Sequence, residues 1–590
     1  MRAARALAAG VLVPVCLGTG AGLAAAVERP ELALVHVEAN VGGASGGHAA
    51  LRLGDDVYHY QQRDDRLLLV REDWQLFRFG YNVLQNRPLH VAHVPLDREA
   101  WGALRDHFAA GYLEQQRALG ELWAARLDVE LLEAWRGEGE GFHARAAGLL
   151  DPEQPGAVDG VALLRRLEAR LGAGFASAEL ASVEAGLFAP PEGAAATERQ
   201  RDALVLRAAL LGLRDAHALH PEAAVEAPGG SLTPGERALL DAWARRLEET
   251  IVALLRSPRP DRGRALLVAT ARHRAVLRSL GGSRLWLLGV LSDGAEALGP
   301  REVRARRAEI AAVAEGTRER FLEERSRILT GELDERRVHR LEVLATRAVE
   351  YRRGAEHGAP VRDTGGVLVP QRGRVLGAPA RRPEDRALAD ALVGARRRVS
   401  LLEADLDQRY RYDLFFSNCA TELVRALNAG LGDPEGALGD RLEPNGGLGF
   451  VPFWLFRRAT GRLEVSRVER IPSHRERALA EFCERENDGL VFAREGNTLT
   501  SRVYGRRAPD GSFLLFTDGA PWARPLFGAL NLGWALVDGA FGVLTVPFDR
   551  GERVVRAGKG ALFSAPELVF VSIRKGSFDA ATLRRAGLPD

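Results

Sequence analysis

The sequence predicts an α+β protein whose small β-rich domain is split by a long helical insertion. Residues 27–96 contain short apolar runs separated by glycine-rich turns, as in an antiparallel sheet. Residues 97–404 are dominated by Ala, Leu, Arg and Glu, with apolar positions at helical spacing. Residues 405–486 return to a short amphipathic helix that completes the first domain, whereas residues 487–590 suggest a separate mixed β domain.

The composition is that of a globular protein of several domains. A chain of 590 residues is too long for one hydrophobic core, and 46% hydrophobic with 27% charged residues is ordinary for a folded protein. The formal net charge is only +2, so the sequence offers no basic excess for a nucleic acid. Nucleic acid is therefore not an expected partner.

The first 26 residues have the pattern of an export signal. Arg2 and Arg5 precede an apolar run, and Ala24 to Ala26 fit cleavage by a signal peptidase before Val27. The alternative is an uncleaved anchor, because the apolar run approaches the length of a membrane span. Cleavage would leave Cys419 and Cys483, which either form a disulfide or include one free, reactive thiol.

The β part is expected to contain a hairpin that carries two histidines. Runs at 48–53 and 57–61 flank the turn Gly54-Asp55-Asp56, and further strands are expected at 31–38, 67–71 and 89–95. An antiparallel hairpin with this turn brings His48 and His59 side by side. A histidine on a strand is also often purely structural.

The helical section, residues 97–404, is expected to be an all-α insertion. Its charge runs read as solvated helix faces, and it contains no catalytic motif.

Cys419 is predicted to lie in the first turn of a helix. Ser417 and Asn418 are typical N-cap residues, and Ala420, Leu423, Val424 and Leu427 share one apolar face. Helix-terminal amides favour a thiolate, so this placement is expected to lower the thiol pKa and to offer a backbone donor for an oxyanion. The alternative is an inert core cysteine.

The C-terminal region is expected to contain β-like runs at 490–492, 512–517 and 568–573 around an apolar segment, residues 525–547. In a helix, Asn531 and Asp538 would share one face, and Leu536 and Val543 would lie on the opposite face. The segment is either a buried helical hairpin or a membrane-associated element.

Two stretches together resemble a known family. The run from Gly47 to His59 resembles the histidine hairpin of the permuted NlpC-like enzymes, which include the lecithin:retinol acyltransferase group, and Asn418-Cys419-Ala420-Thr421 resembles their cysteine helix. The combination is most similar to the periplasmic domain named after the Lnb lipoprotein N-acyltransferase. The resemblance covers about residues 31–95 and 405–430.

The resemblance implies a permuted papain-like domain with a Cys/His thioester mechanism. It makes Cys419 the nucleophile, His48 the base and His59 the orienting group, with Asn418 and Ser417 as oxyanion or supporting residues. It implies an acyl transferase or hydrolase acting on lipid or lipoprotein acyl groups, in the periplasm or outer envelope of a Gram-negative bacterium. Membrane association through 525–547 would suit such substrates.

Two other functions remain open on the same fold. One is hydrolysis of peptidoglycan amides, as in ordinary NlpC-type endopeptidases, and the other is a non-catalytic envelope binding protein. No cofactor or metal is expected, because the sequence lacks His-Glu-x-x-His, Cys-x-x-Cys and a Walker-type loop.

Overall fold

The computed structural model describes residues 29–39, 47–63, 65–85, 87–188, 196–290, 297–305, 307–362, 370, 372–378, 384–444, 449–504, 506, 510–517, 521–569 and 575–576. The predicted export signal, residues 1–26, lies outside these ranges. Within them the chain is a mixed α+β protein, 62% helical, with a small antiparallel sheet.

The N-terminal part forms five strands, followed by the first long helix of the insertion. The strands are β1 (Glu31–Val37), β2 (His48–Leu53), β3 (Asp56–Arg63), β4 (Arg66–Asp73) and β5 (Leu89–Pro95). Between β4 and β5 lie α1 (Trp74–Arg78) and a π-helical segment, Phe79–Leu84. Strands β2 and β3 are joined by a two-residue loop, and Gly54 at its first position has φ +64°, a conformation that favours glycine.

The predicted insertion is mainly helical. Its helices are α2 (Arg98–Arg136), α3 (Val158–Leu171), α4 (Phe175–Phe188), α5 (Ala196–Arg214), α6 (Pro234–Arg256), α7 (Arg262–Gly282), α8 (Pro300–Ala305), α9 (Arg307–Ile328), α10 (Glu335–His357) and α11 (Asp385–Arg409), the last ending just past residue 404.

The expectation of an all-α insertion is wrong in one respect, since segments between the helices pair as short antiparallel ladders. They join β6 (Phe142–Ala144) with β13 (Arg374–Leu376), β7 (Leu150–Asp151) with β8 (Ala218–Leu219), β9 (Ala224–Glu226) with β10 (Trp286–Leu288), and β11 (Ala297–Leu298) with β12 (Val361–Arg362). The ladders give hydrogen-bond partners to backbone N–H and C=O groups of the segments between the helices. The paired strands lie far apart in the sequence, so the pattern of neighbouring residues does not predict the pairing.

The remainder of the chain contains one more strand and seven α-helices among the described residues. They are α12 (Cys419–Leu431), α13 (Pro434–Leu438), α14 (Pro452–Arg462), β14 (Arg467–Ile471), α15 (His474–Cys483), α16 (Asp488–Glu495), α17 (Arg524–Asp549) and α18 (Glu552–Ser564).

The expected β character of the C-terminal region is wrong where the structure describes it. Residues 490–492 lie within α16, and residues 512–517 are irregular, with a single bridge between Asn497 and Leu515. Residues 565–569 form a 3-10 helix, and 570–573 lie outside the described residues. A short apolar run fits a buried helix turn as well as a strand, and here Asn487 caps a helix at that point.

The main sheet has six antiparallel strands in the order β14-β5-β1-β2-β3-β4. One face packs on α2, α12 and α14 through side chains such as Leu51, Phe108, Leu423 and Leu455. The other face carries Val57 and packs on Phe77 and Tyr81, which come from α1 and the π-helical segment. The cysteine helix therefore rests on the strand that begins with His48.

Candidate active site

Cys419 is the first residue of α12, as the sequence predicts. The side chain of Asn418 caps the helix, with its Oδ1 accepting hydrogen bonds from the backbone N–H groups of Ala420 (2.9 Å) and Thr421 (3.1 Å). The hydroxyl of Thr421 in turn accepts a hydrogen bond from the backbone N–H of Asn418 at 2.9 Å. This capping box fixes the backbone on both sides of the thiol.

Asn418 and Ser417 support the helix start in this geometry. The Nδ2 group of Asn418 donates to the carbonyls of Leu414 (2.6 Å) and Phe450 (3.0 Å), so both of its N–H groups are engaged. The hydroxyl of Ser417 donates to Glu422 at 2.8 Å. These bonds favour the supporting role over the oxyanion role for both side chains.

Three side chains form a hydrogen-bonded line across β2, β3 and β4. His48 Nε2 lies 2.8 Å from His59 Nδ1, and His59 Nε2 lies 2.7 Å from Glu72 Oε1. In the register of the sheet, His59 pairs with Ala50, which is two residues after His48 on β2. Glu72 pairs with Val57, which is two residues before His59 on β3. All three therefore lie on one face of the sheet, and the predicted juxtaposition of the two histidines is confirmed.

The line determines which nitrogen of His48 is basic. The carboxyl oxygen of Glu72 accepts a hydrogen bond from the N–H at His59 Nε2, which leaves His59 Nδ1 as an acceptor. His48 Nε2 then carries the proton donated to His59, and His48 Nδ1 keeps its lone pair. This assignment follows from the hydrogen-bond network.

Glu72 was missed by the sequence reasoning. The strand expected at 67–71 stops one residue short of it, whereas β4 extends to Asp73. Alternation within β4 places Glu72 and Val70 on the same face, and Val70 pairs with His59. Extending the expected strand by one residue would have provided the signal.

His48 is held in a tightly packed setting. The preceding Gly47 has φ +88°, and a Cβ there would lie 2.3 Å from the carbonyl oxygen of Val37, so only glycine fits. The imidazole stacks on Tyr81 with a centroid distance of 5.1 Å. Burial lowers the pKa of His48 well below 6.5, and the neighbouring His59 and Arg87 lower it further. His48 is therefore a neutral base at pH 7.

The thiol of Cys419 lies beside the start of β2. It interacts with the backbone N–H of Ala49, the residue after His48, and Arg87 also acts electrostatically on it. Burial raises the pKa of Cys419 and outweighs the amides of Ala49, Ala420 and Cys419 itself. The expected lowering of the thiol pKa by the helix terminus is therefore wrong, because desolvation disfavours the thiolate more than the amides favour it.

The remaining candidates have simpler surroundings. Cys419 and Cys483 are both free thiols, so the disulfide alternative is not realised, and Cys483 is exposed. His90 and His93 contact Glu38 (2.9 Å) and Glu31 (3.0 Å) elsewhere in the sheet. Within the described ranges no group of three or more His, Cys, Asp or Glu side chains is arranged to hold a metal ion.

A narrow apolar gap lies beneath the cysteine helix. Its walls include Ala49 on β2, Leu423 one helical turn below Cys419, and Leu455 and Phe456 on α14.

Comparison of the chain with models of known protein families, with curated proteins and with solved structures found no match.

Proposed function

We propose that this protein is an exported, thiol-dependent acyl transferase or hydrolase that acts on lipid or lipoprotein acyl groups in the envelope of a Gram-negative bacterium. The observation that carries the proposal is the line Glu72–His59–His48, because the residue after His48, Ala49, directs its backbone N–H to the thiol of Cys419 at the start of α12. A nucleophile, a neutral base and a group that orients the base are the parts required for covalent acyl transfer. The order of histidine hairpin before cysteine helix is the one expected of a permuted papain-like domain.

The proposed reaction has two half-reactions. His48 Nδ1 takes the thiol proton as the sulfur of Cys419 attacks the acyl carbonyl carbon, and the backbone N–H of Cys419 is the proposed donor to the oxyanion. The tetrahedral species collapses to a thioester, and the imidazolium of His48 protonates the departing alkoxide or amine. Water or an acceptor amine or alcohol then attacks the thioester while His48 takes its proton, the carbon–sulfur bond breaks, and the imidazolium of His48 returns the proton to the departing sulfur of Cys419.

The resting state fits base-assisted attack by a neutral pair. The raised thiol pKa and the lowered imidazole pKa both favour Cys–SH with neutral His48 over a thiolate–imidazolium pair. The proton then moves as the sulfur attacks, which is general-base catalysis.

The apolar segment of the C-terminal region supports a membrane-bound substrate. Among the described residues, α17 alone is long and apolar enough to cross a membrane by length and composition. Its polar residues Asn531 and Asp538 are 0% and 6% exposed, whereas the apolar Leu536 and Val543 are each 63% exposed. The helix is thus amphipathic with its apolar side outward.

The contacts of α17 favour a position in the membrane surface over a span. Asn531 binds the backbone of Leu514 and Leu515, and Asp538 pairs with Arg553 of α18 at 2.7 Å. A spanning helix would carry these polar partners into the hydrocarbon, which is costly. An in-plane helix keeps them on the protein side and buries only the apolar face.

Mass spectrometry of the trapped intermediate tests the chemistry. The protein is incubated with acyl donors, quenched in acid and digested, and the peptide carrying Cys419 is analysed for an added acyl mass. The proposal expects an acyl thioester on Cys419 in the wild type and none in Cys419→Ala or His48→Ala. A peptidyl adduct from peptidoglycan fragments would replace lipid by peptide as the substrate, and acyl turnover by folded Cys419→Ala would refute the mechanism.

A further inference from the structure

Three large apolar side chains that precede the candidate nucleophile in the sequence are exposed to solvent. Leu414, Phe415 and Phe416 are 51%, 54% and 62% exposed. Side chains of this type are usually buried, and a contiguous exposed group of them marks an interaction surface.

The loop that carries these side chains is closed by its own hydrogen bonds. The backbones of Asp413 and Ser417 exchange two bonds, of 2.9 and 3.0 Å. The carboxylate of Asp413 also accepts from the backbone N–H groups of Phe415 (2.9 Å) and Phe416 (2.8 Å). Because the backbone is fixed from within, the outward direction of the apolar side chains is built into the loop.

A second apolar segment is tied to this loop. The Nδ2 group of Asn418 bridges the carbonyls of Leu414 and Phe450, and the rings of Phe415 and Phe450 are 5.3 Å apart. Helix α14 begins two residues after Phe450. Together these residues and the partly exposed start of α14 form what we call the mouth rim: Leu414, Phe415, Phe416, Phe450, Phe453 and Trp454.

Basic side chains flank the mouth rim. Arg411 precedes the loop and is exposed, and the exposed Arg457 lies with its guanidinium 5.5 Å from the ring of Trp454. The carboxylate of Asp413 on the same loop stays ionised, because the amides of Phe416 and Phe415 and the nearby Arg411 lower its pKa, so the two arginines face one negative charge. An apolar centre with aromatic and arginine edges matches acyl chains beneath anionic headgroups.

We infer that the mouth rim inserts into the surface of an anionic lipid bilayer and so delivers acyl groups to Cys419. The inference rests on the proposed function for its purpose, but the docking itself does not require catalysis. It also differs from docking through α17, because the rim is fixed to the residue next to the nucleophile.

A single-cysteine probe tests the inference on the full-length mature chain. Phe416→Cys is made in the double variant Cys419→Ala/Cys483→Ala and labelled with an environment-sensitive dye. The matched control carries the label at Val393→Cys on α11, where the side chain is 69% exposed. Vesicles contain phosphatidylethanolamine with phosphatidylglycerol, or phosphatidylcholine alone, and a second series contains lipids with a quencher near the headgroup.

The inference expects a blue shift and quenching of the Phe416 label with anionic vesicles, and no change of the Val393 label. Adding Arg411→Gln and Arg457→Gln should weaken vesicle binding by about 10- to 30-fold at low salt, since each arginine adds to the attraction of an anionic surface. A Phe416 label whose emission neither shifts nor is quenched overturns the inference. This holds whether the protein floats with vesicles through α17 or does not bind them at all.

The two proposals fail separately. The label is read on protein without the nucleophile, so a silent label together with an acyl adduct on wild-type Cys419 would leave the chemistry standing. A positive label without any adduct would leave the docking surface standing and remove the proposed reaction.

Discussion

Substitution of Cys419 and of Cys483 distinguishes a catalytic role of a cysteine from a structural one. Cys419→Ala is expected to abolish turnover while the protein stays folded, because alanine suits the first turn of α12 and the covalent bond requires sulfur. Cys483→Ala is the matched control and should keep wild-type turnover, since Cys483 is exposed on α15. Steady-state turnover with circular dichroism of each variant is the measurement. Equal loss in both variants would contradict the assignment of the nucleophile.

The line through His59 and Glu72 predicts graded losses. His48→Ala should be nearly as severe as loss of the cysteine, because members of such a unit are not additive. His59→Ala should lower kcat about 10- to 1000-fold, and Glu72→Ala about 10- to 100-fold, since both act through the orientation of His48.

Two further variants give this prediction its controls. Glu72→Gln keeps an acceptor for His59 Nε2, so it should lose less activity than Glu72→Ala. Glu31→Ala removes a similar partner from His93 in the same sheet, away from the thiol, and should leave kcat unchanged. Wild-type kcat in Glu72→Ala would show that the carboxylate plays no part in positioning.

The pH profile follows from the two pKa directions. Burial lowers the pKa of His48 below 6.5, so the imidazole remains a base on the acid side of that value. Burial raises the pKa of Cys419 above 9.0, so the thiol stays protonated until higher pH. We expect a plateau of kcat/KM that begins below pH 6.5 and extends above pH 9, with inactivation only outside it. An acid limb at or above pH 6.5 would indicate an imidazolium stabilised in the free enzyme.

At the scale of single elements, the orientation of α17 bears on the proposed association with a membrane. Leu536→Glu with Val543→Glu places two charges on its exposed apolar face, and this should shift the mature protein from the membrane to the soluble fraction. Protein stability should change little, because neither side chain is buried. The measurement is vesicle flotation with thermal unfolding of the same samples.

A matched pair of substitutions on another helix controls for the added charge. Val393→Glu with Leu401→Glu changes two residues of α11 that are 69% and 62% exposed, and flotation should be unaffected. Wild-type protein that remains monodisperse and unbound to vesicles would remove the membrane role of α17.

Across the whole molecule, the helical insertion braces the histidine hairpin. Asp55 in the β2–β3 loop pairs with Arg320 of α9 (2.6 Å) and Arg340 of α10 (3.0 Å). Phe79, from the π-helical segment that also carries Tyr81, packs on Tyr351 of α10 at 5.0 Å. The insertion thus supports the residues around His48, although it supplies no member of the hydrogen-bonded line.

This brace predicts a pH-dependent stability. Burial would raise the pKa of Asp55, but Arg320 and Arg340 outweigh it and hold the pKa below the ordinary 3.8. A carboxyl group with a depressed folded pKa stabilises the fold above its unfolded pKa, and that stabilisation disappears as the pH falls through the folded pKa. Asp55→Asn should therefore lower the free energy of unfolding at pH 7 by at most about 1 kcal/mol, and should have little effect at a pH below the folded pKa of Asp55.

Urea unfolding of wild type and Asp55→Asn at both pH values is the measurement. Asp106→Asn, which removes a surface carboxylate paired with its neighbour Arg105, is the control. Equal destabilisation at pH 7 and at low pH would contradict the brace.

The order of residues along the chain was sufficient for the features that depend on short-range physics. Capping chemistry at Asn418 put Cys419 at a helix start, and Gly54-Asp55 set a hairpin whose register brings His48 to His59. The helical character of the insertion likewise followed from periodicity. Each of these depends on residues within about one turn or one strand pair.

Features that depend on burial and distant pairing required the tertiary structure. Glu72 joins the site only because β4 pairs with β3, and the thiol pKa rises because packing removes water from around Cys419. The periodicity of α17 gave two opposite faces but could not say which one is inside. The binding of Asn531 and Asp538 to Leu514, Leu515 and Arg553 decided it, since a polar face with partners on the protein is buried and leaves the apolar face outside.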